Sequence, residues 1–280
     1  MSIKILTDSA SDITKEDAQK LGIEVIPLII NFGEQEYFDG VDLTNQQFFE
    51  KLMNDKNHPK TSQVSPYRFK EMFEKLTKNG DQVVYVGLSS KLSGTFESAV
   101  NASQEFKDKV FVVDSLSATV GERLLCEYAV NLVDKGLSAK EIKQQLDDIK
   151  KNLVVMGVLD TLEYLKRGGR ISKAVALVGG ALKVKPVMEL IDGQVKMIGK
   201  AIGKRRGRAF MNDQVVKKGG INFDMPYCVL WSGIDQMIAL EYLSESKKIF
   251  DTTRVKFYSL GSTIGTHVGP GVVGVAFFKN

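Results

Sequence analysis

Cysteine is almost absent from the 280 residues: Cys126 and Cys228 stand far apart, with no Cys-x-x-Cys spacing. Neither a zinc knuckle nor a redox pair is spelled out, and the pattern reads as two buried thiols in a reducing compartment. Histidine is as scarce, with His58 and His267 alone, which removes multi-histidine metal sites and leaves no metal to be expected. Net charge is small too. The 38 basic and 34 acidic side chains leave +4 spread along the chain, weak footing for a nucleic-acid or membrane surface. The longest apolar runs, Ile23 to Ile30 and Ala174 to Leu182, fall well short of the roughly 18 residues that a membrane span needs. The opening MSIKILTDSASD reaches Asp8 before the apolar core of a signal peptide could form, so a cytoplasmic protein is expected. Internal repeats, low-complexity segments and Pro- or Ser-rich linkers are likewise missing.

What is present is an ordinary folding composition, with 43% hydrophobic and 26% charged residues. At about 150 residues per domain the length predicts two domains and a cleft between them. In the first half, short β-branched runs (IKIL, IEVIPLII, VVYVGL, VFVV) alternate with helical patterns, which predicts a largely parallel sheet. Phe96, Ala99, Val100, Ser103 and Phe106 mark one helix face, and Leu124, Leu125, Tyr128, Ala129, Leu132 and Val133 another. Thr44, Ser65 before Pro66, and Ser138 with Glu141 read as helix starts. Gly33 marks a hairpin in NFGEQEYF. The second half differs: after VVMGVL and a Gly-rich turn, Asp192-Gly193 joins VKPVMELI to VKMIGKAI, and adjacent strands should be antiparallel. Helices near 205–218 and 234–248 and strands near 227–231, 255–259 and 272–278 follow. The expected fold class is α/β in two domains. Residues 1–155 form a mainly parallel-sheet α/β domain and 156–280 an α+β domain with a largely antiparallel sheet.

Ligand crevices in open α/β sheets lie beyond the carboxyl ends of the strands. Thr7-Asp8-Ser9, Ser89-Ser90 and Asp114-Ser115 follow predicted strands and read either as such a rim or as plain turn caps. Leu92-Ser93-Gly94-Thr95 joins a strand end to an amphipathic helix, where unpaired N–H groups and a glycine suit an anion. The P-loop and dinucleotide glycine patterns are absent, so a carboxylate or a single phosphate is the smaller claim. The hydroxyl-rich turn Thr61-Ser62-Gln63-Val64-Ser65-Pro66 could face the same crevice. Glycines around Arg170 and His267 point to backbone held in special conformations. Each of those two side chains reads as a site residue or as a structural one. The KRRGR run at 204–208 reads as a solvated helix start or as a phosphate clamp. Ser93 and His267 are also the ingredients of a hydrolase, but no Gly-x-Ser-x-Gly elbow exists.

TDSASD at 7–12, TSQVSP at 61–66, LSSKLSGTFESA at 88–99, LEYLKRGGRIS at 162–172, KPV at 185–187 and HVGPGVVGV at 267–275 together resemble the DegV family, which includes the FakB fatty-acid-binding proteins. The resemblance implies one long-chain fatty acid in a tunnel at the domain interface. Its carboxylate would lie against Thr61, Ser62, Ser93 and the Gly94 backbone, with His267 nearby. In the FakB branch a separate kinase brings ATP and metal ions and converts the bound acid to an acyl phosphate for phospholipid synthesis. This chain would then be no complete enzyme and need no cofactor, with Arg170 and His267 assisting phosphoryl transfer. Two departures stand out: Ile202 where many members carry an arginine, and Trp231-Ser232-Gly233 where a histidine-containing segment is common. The alternatives are an autonomous esterase or thioesterase using Ser93 and His267, and a lipid sensor without phosphotransfer.

Overall fold

The computed structural model describes residues 2–171 and 183–280. Ser172 and the apolar run from Ala174 to Leu182 lie outside the described residues. In chain order the elements are β1 (Ile3–Asp8), α1 (Lys15–Leu21), β2 (Ile23–Ile26), β3 (Ile29–Phe32), β4 (Gln35–Phe38), α2 (Asn45–Asn54), β5 (Lys60–Ser62), α3 (Pro66–Thr77), β6 (Gln82–Gly87), α4 (Thr95–Ser103), β7 (Val110–Asp114), α5 (Thr119–Asp134) and α6 (Ala139–Ile149). There follow β8 (Leu153–Val158), α7 (Glu163–Arg167), β9 (Val184–Ile191), β10 (Gln194–Ile202), α8 (Lys204–Lys217), β11 (Cys228–Trp231), α9 (Met237–Glu245), β12 (Lys256–Ser259), α10 (Ser262–Val268) and β13 (Val273–Phe278).

The alternating first half builds a four-stranded parallel sheet in the order β2-β1-β6-β7. The second half builds a six-stranded sheet in the order β10-β9-β8-β13-β11-β12, antiparallel except for the β11–β12 pair. Both sheets match the expected fold class. A third, three-stranded antiparallel sheet, β4-β3-β5, contains the hairpin expected at Gly33 as β3 and β4; its separation from the parallel sheet and its third strand, β5, arise from two departures. IEVIPLII is not one strand. Pro27 has no N–H to continue the parallel ladder, so β2 ends at Ile26 and the chain restarts as β3 in another sheet. Thr61 and Ser62 are not in a turn: they sit in β5, which pairs with β3, and the turn itself occupies the residues just before Ser65.

The capping sequences perform as expected. Thr44 with Gln47 and Ser138 with Glu141 form capping boxes, and Ser65 accepts from the Arg68 N–H. The helix α5 departs from the single apolar face expected of it. It is packed between the two larger sheets, and Glu122, Arg123 and Glu127 are buried along with Leu124, Leu125, Ala129 and Leu132. Arg123 is neutralised by Asp17 at 2.8 Å and Glu127 at 3.0 Å, and its guanidinium lies 3.4 Å from the Tyr258 ring centroid. Val84 and Val113 of the parallel sheet share one continuous core with Val155, Leu230 and Ala276 of the six-stranded sheet. The KRRGR run begins α8, but Arg208 is not solvated. It is buried and ion-paired with Glu241 and Glu245, pinning α9 to α8. Cys126 and Cys228 are both buried and unbridged, with burial raising both thiols.

Candidate functional site

Between the two larger sheets lies a cavity of about 250 Å³. Its wall is mostly apolar and drawn from both halves of the chain, including Leu28, Leu88, Val155, Met188, Leu230 and Leu260. Polar side chains converge on it from three short segments: Thr61 and Gln63 around β5, Ser93 before α4, and His267 in the last turn of α10 beside Arg170. Oily walls with a few convergent polar groups are the usual build of a small-molecule site.

The polar end is tightly interlocked. Thr61 Oγ1 and His267 Nε2 lie 2.9 Å apart and share a hydrogen bond. Ser93 Oγ accepts from the Thr95 N–H at 3.2 Å and lies 3.0 Å from Thr95 Oγ1. Thr95 Oγ1 in turn accepts from the Val64 N–H, so its own proton can go to Ser93 and leave the Ser93 hydroxyl proton for a ligand oxygen. Gln63 bonds Ser98 on α4, and the space a Gly94 side chain would take is filled by Gln63 Oε1. Arg170 donates to the Leu92 carbonyl at 3.2 Å and to the Gly168 carbonyl at 2.6 Å, bridging the α7 side of the site to the loop before α4. Ser62 lines the cavity, but its hydroxyl turns away to donate to Asn31, as alternation along a strand requires of Thr61's neighbour.

His267 is neutral here. Burial, then the neighbouring Arg170 and His58, lower its pKa from 6.5 to about 4. Its Nδ1 is buried with no hydrogen-bond partner among the described residues and faces the Gly168 backbone. The pH consequence has a definite sign. The unfolded chain takes up the proton near 6.5 and the folded chain only near 4, so stability is full above 6.5 and lost as pH falls through that window, by roughly 3 kcal/mol. Asp12, pushed up to about 8 by burial, works the other way between about 4 and 8. The difference between wild-type and His267→Gln denaturation curves should therefore isolate the His267 contribution. A difference that stays constant from pH 7 to pH 4 would contradict this.

The residues at the strand ends do not form a ligand rim. Asp8 accepts from Tyr85, Leu88 N–H and Ala10 N–H, Ser89 donates to the Gly193 carbonyl, and Asp114 accepts from Ser90 and Leu116 N–H groups. They are turn and sheet clamps. The expectation of special backbone around Arg170 and His267 holds for Gly169, Gly269 and Gly271, whose φ angles are positive, but not for Gly168 or Gly265. Those two are needed for room. A side chain on Gly168 would meet the His267 ring and one on Gly265 the rings of Phe48 and Phe49. Ser232, in the Trp231-Ser232-Gly233 segment, clamps the loop after α10 through the Gly269 carbonyl and the Val272 N–H. Ile202 is exposed at the end of β10. Thr119 was not singled out by the sequence, and Gln63 and Thr95 were read only as members of their segments, with no role of their own. Thr119 lines the cavity with a positive φ of 56°, which no local signal announces. No group of three or more metal-ligating side chains occurs among the described residues.

A parallel sheet and a mixed sheet enclose an oily cavity whose polar end carries hydroxyls, an imidazole and a guanidinium. The family model of the uncharacterised DegV proteins matches residues 2–280, and the chain belongs to the DegV family. A DegV domain-containing protein of Caldanaerobacter subterraneus is 36% identical over 276 residues, 98% of each chain. Among solved structures, a fatty-acid-binding DegV family protein from Thermus thermophilus is 32% identical, covers 100% of both chains and superposes with a TM-score of 0.88. A stearic-acid-binding protein from Eubacterium ventriosum, 28% identical, also reaches 0.88 over 100% of this chain and 98% of its own.

Proposed function

We propose that this protein binds one long-chain fatty acid, its acyl chain in the cavity and its carboxylate among Thr61, Ser93, the Gly94 backbone and His267, with Ser62 adjoining. The observation that carries this reading is the apolar cavity that ends on the Thr61–His267 pair, with Arg170 beside it. A neutral imidazole and hydroxyl donors can meet a carboxylate without a second buried charge. The tunnel then lies between domains 1–155 and 156–280. In this reading the protein is cytoplasmic and acts as a FakB-type subunit. It is no enzyme alone and needs no cofactor or metal of its own, but presents the carboxyl group to a kinase that supplies ATP and metal and makes the acyl phosphate used for phospholipids. No helix among the described residues is long and apolar enough to cross a membrane.

The esterase reading requires Ser93 and His267 in contact. Their hydrogen bonds run elsewhere, Ser93 with Thr95 and His267 with Thr61, which supports a carrier over a hydrolase. The deciding experiment is mass spectrometry of organic extracts of the purified protein. A near-stoichiometric long-chain acid is expected. Absence of lipid in folded protein that also refuses added fatty acid would overturn the reading. Because Arg170 sits beside the head-group end and is already held by two carbonyls, Arg170→Ala is expected to depress acyl phosphate formation more than fatty-acid affinity. Equal losses would assign it to binding instead.

A further inference from the structure

The helix α10 carries His267 in its last turn, and it is only seven residues long. Isolated helices of that length do not hold in water, so its position is set by what it touches. Its N-cap is Gly261, which has no side chain to accept from the first N–H groups. Two residues remote in sequence do so instead. Asp12 Oδ1 accepts from the Gly261 N–H at 2.8 Å. Asp39 Oδ2 accepts from both the Thr263 N–H at 3.1 Å and the Thr263 hydroxyl at 2.6 Å. Both aspartates are buried, and neither lines the cavity. Asp12 is itself fixed by the Thr119 hydroxyl, and Thr119 does line the cavity, as do Thr263, Ile264 and Val268 of α10. On the outer side, Gly265 lets α10 close onto Phe48 and Phe49 of α2.

We propose that Asp12 and Asp39 are positioning residues for the head-group end of the cavity. Together they form a cap, supplied by the N-terminal half, that sets the register of α10 and so places His267 against Thr61. The cap touches no ligand. It makes the acid-binding end of the cavity depend on contacts between the two halves of the chain. The significance for ligand affinity rests on the fatty-acid reading above, but the cap itself does not.

With only two histidines in the chain, ring signals can be assigned by NMR from a His58→Gln background. The groups facing the His267 ring are Thr61, Arg170 and His58. Asp39→Ala, which removes the acceptor, is expected to raise the His267 titration by about one unit or more towards its ordinary 6.5 and to weaken palmitate binding about fivefold. Asp39→Asn keeps an acceptor oxygen and should bring both back to within about twofold of wild type. A folded Asp39→Ala protein with an unmoved His267 titration, or a shift that Asp39→Asn does not reverse, would overturn the proposal. Should Asp39→Ala fail to fold, Thr263→Val removes the hydroxyl donor alone and should move the His267 titration in the same direction. An unmoved titration there would overturn the proposal equally. If the ring shifts as expected but wild-type protein takes up no palmitate, the cap stands and the fatty-acid reading falls.

Discussion

Gly168→Ala is expected to weaken fatty-acid binding about tenfold or more while the protein stays folded. Gly168 has φ −73° and ψ −10°, a conformation any residue adopts, so alanine brings no backbone penalty. The cost is spatial. The new methyl group would lie 2.1 Å from His267 Nδ1 and 2.9 Å from Cε1, far inside contact distance. The ring must swing away, which breaks its bond to Thr61 and takes the polar end of the cavity apart. The turn itself is at the surface, so thermal stability should change by no more than a few degrees. Displacement of a fluorescent fatty acid, read beside a melting curve, separates the two effects. A double variant with His267→Ala should lose little beyond either single change, since both act on one ring. Unaltered affinity in Gly168→Ala would remove His267 from the head-group site.

The largest expected loss of stability comes from Gly274→Ala. Gly274 lies in β13, flanked in the sheet by β8 and β11, and pairs with Gly157 on one side and Leu230 on the other. A methyl group there would sit 2.3 Å from the Met156 carbonyl oxygen and 3.0 Å from Gly157 Cα. These are backbone atoms of a neighbouring strand, so no side chain can rotate to make room. Relief requires the sheet to spread where its ladder is continuous on both edges. A destabilisation of roughly 3 kcal/mol, on the order of 5–10 °C in melting temperature, is expected. A melting temperature equal to wild type would mean that β13 separates from β8 more easily than its register implies.

Much of the fold could be read locally. The β-branched runs at 3–6, 83–88 and 110–113 became the parallel strands, and Asp192-Gly193 became the turn of the β9–β10 hairpin. Thr44, Ser65 and Ser138 became caps, because side-chain length and backbone geometry decide such features within four residues. Pro27 was the local signal missed: its lack of an N–H was enough to divide IEVIPLII between two sheets.

The candidate site was legible only in pieces. Ser93-Gly94 before α4 and the glycines near Arg170 and His267 could be recognised as unusual, because polar and small residues after apolar runs stand out in any window. That Thr61 meets His267 across 206 positions, or that Asp12 and Asp39 cap a helix more than 200 residues away, has no local trace. The sequence by itself determined the main strand runs, the helix caps and the β9–β10 turn, since those choices are made by neighbours along the chain. Only the tertiary structure decided which hydroxyls, carboxyls and rings meet. Burying both faces of α5 between two sheets brings the halves together, and desolvation there favours partners drawn from whichever segment lies across the gap, as for Thr7 with Glu122 and Asp12 with Thr119.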